Sequence, residues 1–150
     1  MTAVAQAAGT PHAPGVWADV VGQDAAVAQF RRAASPEGSL AQAWLITGPP
    51  GSGRSTAARA FAGTLQCEQG TGCGQCPACR TTLAGTHPDV TVVATDKLSI
   101  AKEEVRSLVM TAQRAPATGR HRVLIVEDTT TTGNSPLTAV AAAREAGATV

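Results

Sequence analysis

Helix-forming patterns occur in three separate stretches of the chain, and in two of them hydrophobic residues recur at helical spacing. The first runs from Asp24 to Ala34, and the second is STAARAFAGTLQ at residues 55–66, which is rich in strong helix formers. The third runs from Lys102 to Arg114. Each predicts a helix. The residues that share one helical face are Ala26, Val27, Phe30 and Ala34 in the first stretch and Val105, Leu108, Val109 and Ala112 in the third.

Three short apolar runs, two between these stretches and one after them, predict β-strands. They are AWLIT at 43–47, DVTVVAT at 89–95 and VLIV at 123–126. The third run is uninterrupted and β-branched, as expected of a strand covered on both faces. Because strands alternate with helices, the pattern predicts an α/β fold on a parallel sheet, with ordered structure beginning near Val16.

Length and charge narrow the classes of protein. A chain of 150 residues has room for one domain, and 12 Lys and Arg against 11 Asp and Glu exclude a sequence-wide basic field that attracts nucleic acid. Residues 1–15 lack both the basic start of a signal peptide and an unbroken apolar span. We therefore expect a mobile leader at 1–15 in a cytoplasmic protein without membrane contacts.

A glycine-rich loop lies between the first predicted strand and the second helix. Its sequence GPPGSGRS fits the phosphate-binding pattern of Gly, four residues, Gly, Lys, then Ser or Thr at every position but one. Backbone N–H groups of such a loop surround phosphate oxygens, and the helix presents its positive end to them. The predicted nucleotide-binding residues are Gly48, Pro49, Pro50, Gly51, Ser52, Gly53, Arg54, Ser55 and Thr56, with Ser55 as a ligand of magnesium.

Arg54 is the exception, because the pattern requires lysine there. Lysine reaches the β- and γ-phosphates as a compact point charge. The guanidinium of arginine is planar and wider, so it cannot occupy the same space without displacing a neighbouring group. We expect weak binding of ATP and magnesium or none, little hydrolysis and no catalytic residue. A glycine turn that serves only the fold is the alternative.

Four cysteines occupy CEQGTGCGQCPAC, an insert at residues 67–79 that we expect to be hairpin-like. Four thiolates with short spacers match tetrahedral zinc, so Cys67, Cys73, Cys76 and Cys79 are predicted to hold a structural zinc ion. A disulfide or redox pair is the alternative, as are unliganded cysteines. Disulfides need an oxidising compartment, and no targeting segment indicates one. A redox C-x-x-C usually opens a helix in a thioredoxin-like unit, whereas this one is expected to lie in a glycine loop.

Several motifs in order resemble the delta prime subunits of the bacterial DNA polymerase III clamp loader, members of the AAA+ group. They are VVGQD at 20–24, AWLITGPPGSGRS at 43–55, the cysteine insert followed by THPDV at 86–90, and EEVRSL and GRHRVLIVED between 103 and 128. The resemblance covers about residues 16–128. It implies an AAA+ P-loop domain with a zinc-binding insert, truncated at its C-terminus.

The resemblance also implies a role in DNA replication. Such subunits often have degraded phosphate loops and act as non-hydrolysing members of the ring that opens a sliding clamp. The implied partners are gamma or tau subunits, delta, and through them the clamp and primer-template DNA. The acidic strand end Glu127 and Asp128 stands where AAA+ ATPases have Asp-Glu, which further weakens the case for hydrolysis.

The tail departs from that family after Asp128. The stretch VLIVEDTTTTGNS resembles the phosphoribosyl pyrophosphate signature of type I phosphoribosyltransferases, and SPLTAVAAAREAGATV continues like orotate phosphoribosyltransferase. The signature loop would be Thr129, Thr130, Thr131, Thr132, Gly133, Asn134 and Ser135, within a tail at 129–150. Ser135 and Pro136 suit the start of a helix, Gly147 suits its exit, and residues 148–150 would begin a strand.

These two resemblances leave alternatives open. The chain is a clamp-loader fragment, a phosphoribosyltransferase fragment that binds phosphoribosyl pyrophosphate, or an inactive domain held by zinc. The loop at 129–135 could also be a solvated loop followed by a good helix start. We hypothesise a junction of two coding sequences within the shared pattern G-R-x-R-V-L-I-V-E-D, formed by recombination or by assembly error.

Overall fold

The computed structural model of the chain describes residues 15–94 and 100–127. A short 3₁₀ helix, Gly15–Trp17, opens the described part. The elements that follow it are α1 (Asp24–Ala34), α2 (Arg54–Gln66), α3 (Pro77–Leu83), β1 (Val90–Ala94), α4 (Lys102–Ala112) and β2 (Val123–Glu127). Residues 1–14 of the predicted leader and the tail from 129 lie outside the described residues.

The three predicted helices are confirmed as α1, α2 and α4. Helix α1 buries Val27, Phe30 and Ala33, close to its predicted apolar face. Of the four residues predicted to share the apolar face of α4, Val105 is buried and Ala112 is exposed. The buried part of this face is therefore shorter than predicted. None of the helices in the described ranges is both long and apolar enough to cross a membrane.

The parallel sheet is also confirmed, with two strands in the described part. Strands β1 and β2 pair in register from Val90 opposite Val123 to Ala94 opposite Glu127. Helix α4 connects them, as a parallel pair requires a crossover. The described chain is therefore a mixed helix and strand structure with a small parallel sheet.

The predicted strand at 43–47 is wrong for this structure. These residues carry no assigned secondary structure, and the sheet of the described ranges consists of β1 and β2. A strand exists only where its backbone groups pair with a neighbour, and no described strand lies beside this segment. The expectation that β2 is covered on both faces is wrong for the described chain as well, because Val126 is 45% exposed.

An aromatic cluster holds the helices together. The ring centroid of Phe30 in α1 lies 4.7 Å from that of Phe61 in α2 and 5.9 Å from that of Trp17. Trp44 packs at 5.2 Å against the edge of Phe61. These rings join small buried residues of α2, so the core lies between the 3₁₀ helix, α1 and α2, behind the phosphate loop.

The cysteine insert is not a hairpin. It consists of a glycine-rich loop followed by the short helix α3, which packs on α2. The loop also lies against the 3₁₀ helix, where the Val16 N–H donates to the Gly72 carbonyl at 3.0 Å. Gly72 has φ of +71°, and a Cβ there would stand 2.6 Å from Thr64 Oγ1. Glycine permits both the backbone conformation and this close approach.

Candidate nucleotide and metal sites

The phosphate loop has the backbone shape that its glycines predict. Gly51 and Gly53 have φ of +78° and +81°, and Gly53 is the N-cap of α2, which begins at Arg54. The Ser52 N–H turns back to the Pro49 carbonyl at 3.2 Å. Because the first N–H groups of a helix have no partner within it, this end of α2 can bind an anion. The loop and the helix N-terminus are thus in place.

Arg54 lies at the mouth of this loop. Its Cδ would be 3.7 Å from a Cβ placed on Gly48, so its side-chain stem runs beside the first glycine. The residue is exposed, as is the neighbouring Ser55. The stem carries a wide planar guanidinium, whereas the lysine of the pattern would bring a compact point charge.

Glu127 contacts a basic side chain of α2. Its Oε1 lies 3.4 Å from Nη2 of Arg59, and the two side chains are 24% and 48% exposed respectively. Pairs this exposed contribute at most about 1 kcal/mol to stability. The contact nevertheless directs the Glu127 carboxylate toward Arg59. Asp128 and the predicted loop at residues 129–135 lie outside the described residues.

One groove of about 960 Å³ joins the phosphate loop to Glu127. Gly48, Arg54 and Ser55 line it from one side and Glu127 from the other. The carboxyl end of β2 therefore faces the N-terminus of α2, where ligands bind in open α/β sheets. Of the predicted nucleotide-binding residues, Gly48, Arg54 and Ser55 line the same groove as Glu127.

The four cysteines form a cluster that could hold a metal ion. Their Sγ atoms all lie within 4.8 Å of one another, and Cys67 and Cys79 are buried. Four sulfurs at about 2.3 Å from zinc define a tetrahedron with edges of about 3.8 Å. A slight contraction of the cluster reaches that geometry. Since the protein supplies all four ligand atoms, a bound ion would be structural rather than catalytic.

Backbone N–H groups point at three of these sulfurs. Cys73, Cys76 and Cys79 each donate to the sulfur of the preceding cysteine, at 3.4 Å in every case. Burial disfavours the thiolate of Cys67, but hydrogen bonds, that from Cys73 foremost, bring its pKa down to about 6. Burial raises the pKa of the Cys79 thiol. The loop thus favours negative charge at Cys67, as a metal ligand requires.

One argument against a redox pair is wrong. Cys76 is the N-cap of α3 and Cys79 lies in its first turn, so this C-x-x-C does open a helix. Pro77 at the first helical position favours that start, a signal present in the sequence. All four cysteines are free thiols, and the sulfurs of all four, not of one pair, are gathered together.

Asp89 is a second buried polar centre. It is fully buried and accepts hydrogen bonds from the N–H groups of Ala117, Thr118 and Gly119 at 2.6, 2.8 and 2.6 Å. Arg122 Nη2 lies 3.2 Å from its Oδ1. The N–H groups, that of Ala117 first, hold the pKa of Asp89 well below its usual range against the effect of burial. Asp89 therefore fixes the pre-strand loop, residues 115–122, which leads into β2.

Gln66 ties the same loop to the cysteine insert. Its amide oxygen accepts from the Arg120 N–H at 3.1 Å, and its amide nitrogen donates to the His121 carbonyl. Arg120 Nη1 in turn reaches the Cys67 carbonyl at 3.4 Å. Sequence reasoning did not find Arg59, Gln66 or this role of Asp89, because their partners lie 28 to 68 positions away in the chain.

Most of the chain matches one known protein family. Its residues 22–137 match the family described as DNA polymerase III, delta subunit. The chain belongs to this family. The matched residues of this chain include the glycine-rich loop, the four cysteines and the Asp89 loop.

Two curated relatives show the same relationship within DNA polymerase III. The tau subunit of Escherichia coli is 35% identical over 119 residues, which is 77% of this chain and 18% of that protein. The delta prime subunit of Pseudomonas aeruginosa is 34% identical over 92 residues, 58% of this chain and 28% of that protein. The matched stretch of the chain thus spans 18% and 28% of the length of these two relatives.

A third relative lies outside this group. The orotate phosphoribosyltransferase of Corynebacterium glutamicum is 88% identical over 26 residues, which is 17% of this chain and 14% of that protein. Identity this high over so short a stretch contrasts with the longer and more distant matches to the polymerase subunits.

Proposed function

We propose that this chain is a clamp-loader subunit segment of the delta prime kind, which serves DNA replication without hydrolysing ATP. Membership of the DNA polymerase III family supports the replication role. The observation that carries the non-hydrolysing part is Arg54, whose stem runs beside Gly48 at the mouth of the phosphate loop. The pairing of Glu127 with Arg59 also supports it, because a carboxylate held by arginine is a poorer site for magnesium or water.

The cysteine cluster, in this proposal, holds a structural zinc ion. Zinc accepts four thiolates in a tetrahedron and needs no open position when it is structural. Cys67, Cys73, Cys76 and Cys79 would provide all four ligands. The ion would hold the insert against α2 and the 3₁₀ helix. Its chemistry is to keep four sulfurs together, and it takes no part in a reaction.

The proposed partners are gamma or tau and delta subunits and, through that complex, the sliding clamp and primer-template DNA, in the bacterial cytoplasm. The near-neutral charge of the chain agrees with DNA contact through partners rather than directly. Mixing the purified chain with purified gamma and delta subunits in size-exclusion chromatography tests this. A complex of defined stoichiometry supports the proposal, and separate elution at micromolar concentrations contradicts it.

Calorimetric titration with Mg-ATP tests the nucleotide site, with Arg54→Lys as the informative variant. We expect the native chain to bind weakly or not at all and the lysine variant to bind at least ~10-fold more tightly, because lysine fits the loop as a point charge. Arg106→Lys on the exposed surface of α4 is the matched control and should bind like the native chain. Micromolar binding with turnover by the native chain would sink the proposal.

A second candidate rests on the 26-residue match to orotate phosphoribosyltransferase. We attribute that match to the tail, where the signature loop at 129–135 was predicted. The clamp-loader sequence upstream leaves little room for the other loops that a transferase needs, so we expect no transfer activity with phosphoribosyl pyrophosphate. Sequencing the genomic locus tests the junction. A contiguous, independently confirmed frame would establish a real fusion, whereas two separate frames would mark an artefact.

A further inference from the structure

A buried glutamine stands between the cysteine insert and the nucleotide groove. Gln66 is the last residue of α2, it is 2% exposed, and the first predicted metal ligand, Cys67, follows it directly. Its side-chain amide bonds to the pre-strand loop. The Oε1 atom accepts from the Arg120 N–H at 3.1 Å, and Nε2 donates to the His121 carbonyl. Gln66 therefore joins the end of α2 to a loop 54 positions further along the chain.

Burial and packing both restrain this glutamine. A buried amide that loses its partners incurs the full cost of desolvation, so we expect Gln66 to keep one side-chain conformation. A Cβ on Gly119 would overlap with Gln66 Oε1, and glycine at that position lets the loop backbone approach the amide. The loop cannot shift against the end of α2 without breaking these contacts.

A further contact links the same loop to the backbone of the metal ligand. Arg120 Nη1 donates to the Cys67 carbonyl at 3.4 Å and also lies 3.4 Å from a Cβ placed on Gly70 of the insert. On the other side, the Cys67 N–H donates to the Thr64 carbonyl of α2 at 3.3 Å. Cys67 is thus held between the loop and the helix. Groups that orient a metal ligand in this way affect metal affinity although they do not touch the ion.

The pre-strand loop connects this end of α2 to the groove. The loop leads directly into β2, and His121 and residues 123–127 line the groove together with α2. On its other side, the loop is anchored to Asp89 through the N–H groups of residues 117–119. The β2 wall of the groove thus begins at a loop that is held between the start of β1 and the metal end of α2.

We propose that Gln66 is a positioning residue that couples the metal state of the cysteine insert to the β2 wall of the groove. This inference rests on the proposed metal site. When a metal ion holds the four sulfurs, Cys67 is fixed, and Gln66 keeps residues 120–121 and the start of β2 against α2. When the sulfurs separate, Gln66 loses that fixed position, and the wall is released at its His121 end. Because coupling is reciprocal, loosening the loop weakens metal binding.

Zinc affinity of the 150-residue chain, measured by competition with a chromophoric chelator, tests the coupling from the loop to the metal. Gln66→Met keeps the length of the side chain and removes both hydrogen bonds, so the affinity should fall at least ~10-fold. Thr64→Val is the matched control, because Thr64 is equally buried in the same turn but donates within the helix, to the Ala60 carbonyl. Unchanged affinity in Gln66→Met, or an equal loss in both variants, would overturn the proposal.

Amide hydrogen exchange, measured by NMR on the zinc-saturated proteins, tests the coupling from α2 to β2. The Val123 N–H donates to the Asp89 carbonyl at 2.9 Å, so its protection reports whether the start of β2 is held. In Gln66→Met, Val123 should lose at least ~10-fold more protection than Phe30 of α1, which reports global unfolding. Equal losses at the two amides would mean that Gln66 only stabilises the fold, and would overturn the proposal.

Arg120→Met is a second variant at an exposed residue, whose replacement leaves the buried contacts of Gln66 in place. It removes the bond to the Cys67 carbonyl. Zinc affinity should fall about 3-fold, less than for Gln66→Met, because one exposed hydrogen bond contributes less than two buried ones. Arg114→Met, at an exposed arginine just before the loop, is the control and should bind zinc like the native chain.

The zinc content of the native chain separates the two levels of the argument. A native chain that takes up no zinc would overturn the metal site and this inference together. Zinc uptake with an affinity that neither Gln66→Met nor Arg120→Met lowers would overturn this inference alone and leave the metal site standing.

Discussion

The glycine loop of the nucleotide groove precedes α2 in the chain, and the cysteine insert follows it. The two regions also differ in how their polar groups are paired. Around the insert, the sulfurs, Gln66 and Asp89 each meet several donors or acceptors of the described chain. The groove is lined by apolar side chains that stay partly exposed, among them Leu45 at 66% and Val126 at 45%. The first region pairs most of its buried polar groups, with Thr82 Oγ1 and Arg122 Nε as exceptions. The second region is open to a ligand or a neighbour.

This difference indicates that the insert side stabilises the fold and that the groove side is available to a ligand or a neighbouring segment. Buried polar groups are stabilising only when they are fully paired, and the insert side satisfies that condition at Asp89. The groove side is concave and lined partly by exposed apolar side chains, as ligand sites commonly are. Substitutions on the two sides should therefore differ in what they change.

The largest effect is expected from Cys79→Ser on the insert side. Cys79 is fully buried, and serine is a poor fourth ligand for zinc, so loss of the metal should destabilise the chain by more than about 3 kcal/mol. Thermal melting with metal content measures it. Thr81→Ser in the same helix retains its hydroxyl and should melt within a few degrees of the native chain. A Cys79→Ser variant that melts like this control would contradict a metal-held insert.

Asp89→Asn should give the next largest loss, because an amide cannot replace a carboxylate that accepts three N–H groups and an arginine. The folded pKa of Asp89 is lowered, so its stabilisation is present above the unfolded value of about 3.9 and is lost as pH falls below it.

Melting of both proteins between pH 7 and pH 3 checks this sign. The difference in melting temperature between the native chain and the variant should be largest near neutral pH and should decrease below about pH 4. Both proteins carry the same cysteines, so acid release of a metal affects them alike. A gap that widens in acid would show that the carboxylate is not the stabilising form.

The smallest effect is expected from Arg59→Ala on the groove side. The Arg59 and Glu127 side chains are partly exposed, so the pair should contribute less than about 1 kcal/mol to stability. Chemical denaturation measures the change, with Arg106→Ala on α4 as the control. A loss above about 2 kcal/mol would show that this pair holds the fold as Asp89 does, and the contrast between the two regions would fail.

Local patterns in the sequence predicted the helices, the parallel pair and the gathering of the cysteines. Phe30 and Val27 repeat at helical spacing, and the cysteines lie within thirteen residues, so short-range signals were enough. The segment at 43–47 was mistaken for a strand because its apolar composition says nothing about a hydrogen-bonding neighbour. Asp89 and Gln66 could not be assigned either, since each acts on backbone groups far along the chain.

Zinc content measured together with thermal melting, with and without a chelator, tests most directly the claim that the metal-bound insert holds this clamp-loader family domain. We predict one zinc per purified chain and a cooperative melt that the chelator moves to clearly lower temperature. A chain without zinc, or a melt that the chelator leaves unchanged, would contradict the claim.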